Sequence, residues 1–253
     1  MVKLSVCVET FWKGQSLPEK VRRVKELGFP AFEFWGWRNK NLEELVQVQQ
    51  ETGLTVSAMC TEPNFVLTAE GNEKVLLEGV VASAAVARKL QCSRLIVTTG
   101  SVVAGETREQ TRRRVVRKLR LMVQAATEHG MELLLEPLNP VVNHPGYWLT
   151  KVAQAVDLLE EVNAPGLKIL FDIYHQQVTE GNLLAKIERY LPLIGHFHAA
   201  GVPGRCELVG GELNYRAIFS AIDRLGYTGY VGLEFTPVGK DEDALRQALS
   251  LTG

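Results

Sequence analysis

The chain has 253 residues, 46% of them hydrophobic and 23% charged, with 28 basic against 29 acidic residues and a formal charge of −1. That length and apolar content suit a globular protein with a sizeable core, and the near-neutral balance argues against a surface built for nucleic-acid phosphates or an anionic membrane. No apolar run approaches the roughly 18–20 residues of a membrane span, and the opening MVKLSVCVETFWKG, with Glu9 following a very short apolar stretch, does not read as a secretory signal.

Along the chain, short apolar runs alternate with longer amphipathic segments. Leu4–Val8 reads as a first strand, and Ser16 followed by Pro18 and Glu19 opens a helix that Gly28 ends. Ala31–Trp35 is the second strand, with Asn41 capping a helix that stops near Gly53. Thr55–Cys60 and Ser93–Thr98 are the third and fourth strands, followed by the two longest helices, Asn72–Leu90 and Thr107–His129. Met131–Glu136, Leu167–Asp172, Leu193–His198 and Tyr230–Glu234 complete the strands, with helices over Thr150–Val162, Gly181–Tyr190, Asn214–Leu225 and Asp241–Leu251. The strands are rich in Val, Ile, Leu and Phe, as expected for a parallel sheet covered on both sides.

Strict strand–helix alternation at roughly 32 residues per unit predicts one α/β domain over residues 1–253, a (β/α)8 TIM barrel. An open dinucleotide-binding sheet would need a Gly-rich turn after an early strand, and no G-x-G-x-x-G element is present. Cys7, Cys60, Cys92 and Cys206 are scattered without a C-x-x-C pair, which points to a reducing, cytoplasmic setting and no zinc knuckle.

Active sites of such barrels form at the C-terminal ends of the strands. The last four strands end in Glu136, Asp172, His198 and Glu234, each about one barrel unit from the next. Neighbouring strands lie about 4.8 Å apart, so these side chains can converge on one point. Three carboxylates left together would repel one another. A divalent cation removes that conflict, and the oxygen-rich donor set suits Mg²⁺ or Mn²⁺, with Co²⁺ or Zn²⁺ tolerated.

Other polar residues have two readings. His196, two residues before His198, faces the same way and is expected to pack beneath it. His175, on the segment leaving the sixth strand, is either a solvated loop histidine or a contact for a substrate oxygen. Arg205, in the Gly/Pro loop after the seventh strand, either clamps substrate or pairs with Glu207. Phe11, Trp12, Trp35 and Trp37 follow the first two strands and either pack or wall a small pocket. His129 reads as a helix-end residue and His144 as a loop residue without assigned role. Arg108, Arg112, Arg113, Arg114, Arg117, Lys118 and Arg120 read as a solvated outer helix face.

Several motifs resemble the hydroxypyruvate isomerase family of xylose isomerase-like TIM barrels, beside the ketose 3-epimerases. They are Glu136-Pro137-Leu138-Asn139, Asp172-Ile173-Tyr174-His175, Gly195-His196-Phe197-His198, Arg205-Cys206-Glu207 through Gly211-Glu212-Leu213-Asn214-Tyr215, and Gly232-Leu233-Glu234. The resemblance covers nearly the whole chain. It implies that Glu136, Asp172, His198 and Glu234 hold one divalent metal ion, that Glu136 and Glu234 double as the acid/base pair, and that His175 and Arg205 meet the substrate; from their own positions, Glu207 and Trp12 are further candidate contacts. The implied activity is proton transfer next to a carbonyl through an enediolate, on hydroxypyruvate or a related small keto-acid or ketose. A ketose 3-epimerase is the alternative, ahead of a sugar-acid dehydratase, a metal-dependent endonuclease or a non-catalytic sugar-binding barrel. Relatives are often dimers or tetramers, so by analogy a homo-oligomer is open to the chain, and no nucleic-acid or membrane partner is expected. His198 stands where many hydroxypyruvate isomerases carry Gln, Gly201 replaces an Asp, Leu208-Val209-Gly210 replaces a Pro-Gly-Thr, and the Thr61–Asn72 loop is short.

Overall fold

The structure is a computed structural model, and it describes residues 1–252. Strands β1 (Lys3–Cys7), β2 (Ala31–Phe34), β3 (Thr55–Cys60), β4 (Arg94–Val97), β5 (Glu132–Leu135), β6 (Leu167–Asp172), β7 (Ile194–Ala199) and β8 (Tyr230–Leu233) pair in sequence order, all parallel. β8 pairs with β1 and closes the barrel. The helices between and after them are α1 (Leu17–Glu26), α2 (Leu42–Thr52), α3 (Glu73–Lys89), α4 (Arg108–Glu128), α5 (Val152–Val162), α6 (Ile173–Thr179), α7 (Leu183–Tyr190), α8 (Tyr215–Arg224) and α9 (Asp241–Leu249). Side-chain caps start several of them: Asn41 accepts the Glu44 N–H, and Thr107 and Gln110 form a reciprocal capping box on α4.

Two expectations about local structure are corrected. The segment after Asp172 is not a loop, because the Asp172 carboxylate accepts the His175 N–H at 2.9 Å and starts α6 directly at the strand end. Leu193 is not strand: Leu191–Leu193 form a 3₁₀ turn around Pro192, which has no N–H to give a ladder.

Most of the core lies between sheet and helices. Ala58, Ile96, Leu134 and Leu170 make a separate apolar cluster. Leu134 and Leu170 each stand two residues before Glu136 and Asp172, so by strand alternation they share a face with those acids inside the barrel. The site rests on this cluster.

The basic stripe of α4 is not uniformly solvated. Lys118 is 1% exposed and Arg114 6%. The Lys118 ammonium donates to the carbonyls of Leu67 and Ala69 and to Asn72, while Arg114 donates to the Thr68 carbonyl and pairs with Glu70 and Glu106. These carbonyls belong to the loop after β3 and have no ladder partner, so the cations satisfy them from beneath. Lys118→Met would leave buried acceptors unpaired, at a cost of about 2–3 kcal/mol. Calorimetry should show the melting temperature falling by roughly 4–12 °C for a chain of this size.

Candidate active site

The C-terminal mouth of the barrel holds a cavity of about 410 Å³. Glu136 and Glu234 stand one residue past β5 and β8, yet their backbone N–H groups still donate to Val97 and Ala199, 3.1 Å each, so the sheet positions both side chains. With Asp172 at the end of β6 and His198 in β7, they place one ligand atom each within 4.8 Å of one another, and all four are buried. His198 Nδ1 lies 3.3 Å from a Glu234 oxygen and 3.7 Å from a Glu136 oxygen. It has no hydrogen-bond partner. A buried orphan nitrogen among three carboxylates is the arrangement expected of a divalent-cation site, and these residues fit such an ion.

The two glutamates differ in proton affinity. Burial, reinforced by Glu234 and Asp172 and partly offset by His198, pushes the Glu136 carboxyl up to about 7. Burial also acts to raise Glu234, but the Arg205 guanidinium and His198 overcome it and hold Glu234 well below the usual carboxylate range. Arg205 Nη2 lies 2.5 Å from Glu234 and 3.8 Å from Asp172, and the Trp35 indole donates to the other Glu234 oxygen at 2.5 Å.

His175 is fully buried on α6, its pKa lowered to about 4 chiefly by burial. The Asn139 backbone N–H donates to His175 Nδ1 at 3.2 Å, which assigns the proton of the neutral ring to Nε2. That Nε2 has no hydrogen-bond partner and His175 lines the cavity. The Asn of the Glu-Pro-Leu-Asn motif therefore fixes a donor. Its side-chain oxygen also accepts the N–H groups of Val142 and Asn143, shaping the turn that carries His144.

Arg205 points into the site from a left-handed backbone conformation, φ 54°, and its guanidinium lies over the Tyr174 ring. It does not pair with Glu207. Glu207 instead accepts the N–H groups of Val238 and Gly239 at 2.8 and 3.0 Å, tying the loop after β8 to the loop after β7, and it does not line the cavity. A Cβ on Gly201 would meet the Glu207 carbonyl at 2.1 Å, so the close approach of the two loop arms requires glycine there. Trp12 is likewise placed elsewhere: it is 4% exposed, and its backbone and indole N–H groups donate to Asp241 and Glu242, holding α9 against the loop after β1.

The structure adds residues that sequence reasoning left without a role. Phe65 and Asn64, on the loop braced by Lys118, line the cavity with Pro63, Ile96 and Leu138. The Phe65 ring stacks near His144 at 5.9 Å between centroids, and His144 lies 5.4 Å from His175. The units of β2–β4 thus line a large part of the cavity, apolar at Pro63, Phe65 and Ile96 and polar at Thr61, Glu62, Asn64 and Thr98. Beneath His198, Glu33 of β2 is 2% exposed and faces both His196 and His198. Nothing in its local sequence marked it, because a single acid inside an apolar strand carries no spacing signal.

The profile of the xylose isomerase-like TIM barrels matches residues 21–252. A *Danio rerio* protein provisionally named hydroxypyruvate isomerase is 33% identical over 97% of this chain and 94% of its own length. The chain belongs to the hydroxypyruvate isomerase family of these barrels. The *Escherichia coli* hydroxypyruvate isomerase is 29% identical over 97% of this chain and 98% of its own. Among solved structures, a *Brucella melitensis* protein titled AP endonuclease, family 2, superposes with a TM-score of 0.94 at 28% identity, covering 99% of both chains. Membership of this family makes the chain an enzyme of the isomerase/epimerase class, and its helices include none long and apolar enough to cross a membrane, among the described residues.

Proposed function

We propose that this enzyme moves a proton between carbons next to the carbonyl of a small keto-acid or ketose, as a hydroxypyruvate isomerase does, at the mouth formed by β5–β8. The observation that carries this reading is the convergence of Glu136, Asp172, His198 and Glu234 on one point, with every donor buried. Those four would hold a single divalent ion, Mg²⁺ or Mn²⁺ by donor type. Bound there, the ion would supply positive charge against the oxyanion that develops as the proton leaves.

The chain's own groups do the rest. Glu234, kept ionised by Arg205, takes the proton from the carbon beside the carbonyl, and Glu136, the other glutamate of the cluster, hands back one that it draws from solvent. His175 presents its Nε2–H to a substrate oxygen, and Phe65 gives the mouth an apolar contact at its rim. The four cysteines are free thiols, in keeping with work in the cytoplasm.

A ketose 3-epimerase is the second reading, and one observation favours it. Arg205 is the guanidinium lining the cavity and is already paired with two carboxylates, so a substrate carboxylate would meet no uncommitted guanidinium among the described lining residues. Turnover in D₂O with added Mn²⁺ tests both readings. Hydroxypyruvate, ketopentoses and ketohexoses are supplied in turn, and deuterium is sought at the carbon beside the carbonyl. Incorporation with a new carbonyl position supports isomerisation, and incorporation at C3 with inverted configuration supports epimerisation. Turnover without incorporation would refute solvent-exchanging proton transfer.

A further inference from the structure

We infer that Glu33, buried at the floor of the mouth, is the residue that selects which nitrogen of His198 faces the cation, and so positions that ligand. The inference rests on the reading of the site given above and concerns a residue that does not itself touch the ion.

The geometry is specific. Glu33 reaches from β2 across the barrel interior: its Oε2 hydrogen-bonds His196 Nε2 at 2.8 Å, and its Oε1 lies 2.9 Å from His198 Nε2, in charge contact but off the line of a hydrogen bond. Ser57, on β3, donates to the same Oε2 at 2.8 Å, and Ser5, on β1, lies 2.6 Å from the Ser57 hydroxyl. The carboxylate is thus held by groups from β1, β3 and β7. Gly232 on β8, the register partner of His198, makes the reach possible: a Cβ there would lie 2.1 Å from Glu33 Oε1.

Glu33, His196 and His198 also form a compact donor cluster. The 2.8 and 2.9 Å contacts are those of one carboxylate shared between two imidazoles.

A neutral imidazole carries one proton, and a carboxylate against one nitrogen draws the proton to that side. With Glu33 on Nε2, His198 Nδ1 keeps its lone pair toward Glu136 and Glu234, where the cation would sit. Without Glu33 the ring loses this bias, and half of its arrangements turn an N–H toward the cation. Carboxylates that orient metal-bound histidines in this way typically contribute 10–100-fold to metal affinity.

The test reads metal binding, not turnover. Mn²⁺ is titrated into wild type, Glu33→Gln and Gly232→Ala while free Mn²⁺ is followed by electron paramagnetic resonance, with circular dichroism confirming the fold. Glu33→Gln removes the charge but keeps the shape, whereas Gly232→Ala keeps Glu33 and displaces its carboxylate. Each should bind Mn²⁺ about 10–100-fold more weakly than wild type. In Mg²⁺-loaded wild type, ¹⁵N NMR should place the His198 proton on Nε2.

Wild-type affinity in a folded variant, or a proton on Nδ1 in the Mg²⁺-loaded protein, would overturn the role of Glu33 while leaving the metal site standing. Failure of the wild type to bind Mn²⁺ or Mg²⁺ would instead remove the metal reading, and this inference with it. Should Glu33→Gln not fold, Gly232→Ala and the wild-type spectrum decide between the same outcomes.

Discussion

Glu136→Gln and Glu234→Gln should each lower kcat by about two to four orders of magnitude, the usual contribution of a positioned acid or base. The two losses should differ in kind. Glu234 is held ionised by Arg205 and His198, so it is the group able to accept a proton at neutral pH. Glu136, the other glutamate of the cluster, is the group placed to deliver one. In the direction where Glu234 abstracts, Glu136→Gln should still exchange substrate protons with D₂O while forming little product, and Glu234→Gln should do neither. Mass spectrometry of recovered substrate separates the cases. Deuterium appearing with Glu234→Gln and not with Glu136→Gln would reverse the assignment. Because both residues are also candidate cation ligands, the comparison is made at saturating Mn²⁺.

Arg205→Met should lower kcat/KM by about 100-fold, since it leaves the carboxylates of Glu234 and Asp172 facing each other without the cation that separates them. The pH dependence carries the sign of the argument. Arg205 is the strongest influence depressing Glu234, so its removal raises the proton affinity of that carboxylate. A base works only above its own pKa, and the acid limb of the kcat/KM profile therefore moves to higher pH. Arg205→Lys keeps a charge but not the planar fork, and should shift the limb less. An unmoved acid limb in Arg205→Met would show that Glu234 is not the group titrating there.

The barrel was legible because its signals repeat: eight apolar runs, each followed by an amphipathic segment, leave few alternatives for closure. Glu136, Asp172, His198 and Glu234 were legible for the same reason, since each closes a run and alternation sends all four inward. Residues whose partners come from distant loops were not. Arg205-Cys206-Glu207 offers a local ion pair on paper, but the left-handed turn at Arg205 sends its guanidinium to β8, while Glu207 caps the Val238–Gly239 backbone. Trp12 and Trp35 both follow strands, and only the three-dimensional path decides that one seals α9 and the other meets Glu234. Lys118 looked like its solvated neighbours because helical periodicity does not reveal that a loop from the preceding unit lies across that face.

The cavity has two unequal halves. Strand ends β5–β8 carry the cluster of Glu136, Asp172, His198 and Glu234, whereas Pro63, Asn64, Phe65 and Ile96, from the units of β3 and β4, line another part of the cavity. Under the proposed function, reactivity and choice of molecule are therefore encoded in separate stretches of the chain. Grafting the segment between β3 and α3 from a relative with different tastes should re-aim this enzyme without rebuilding its chemistry, provided that Lys118 still finds carbonyls to grip.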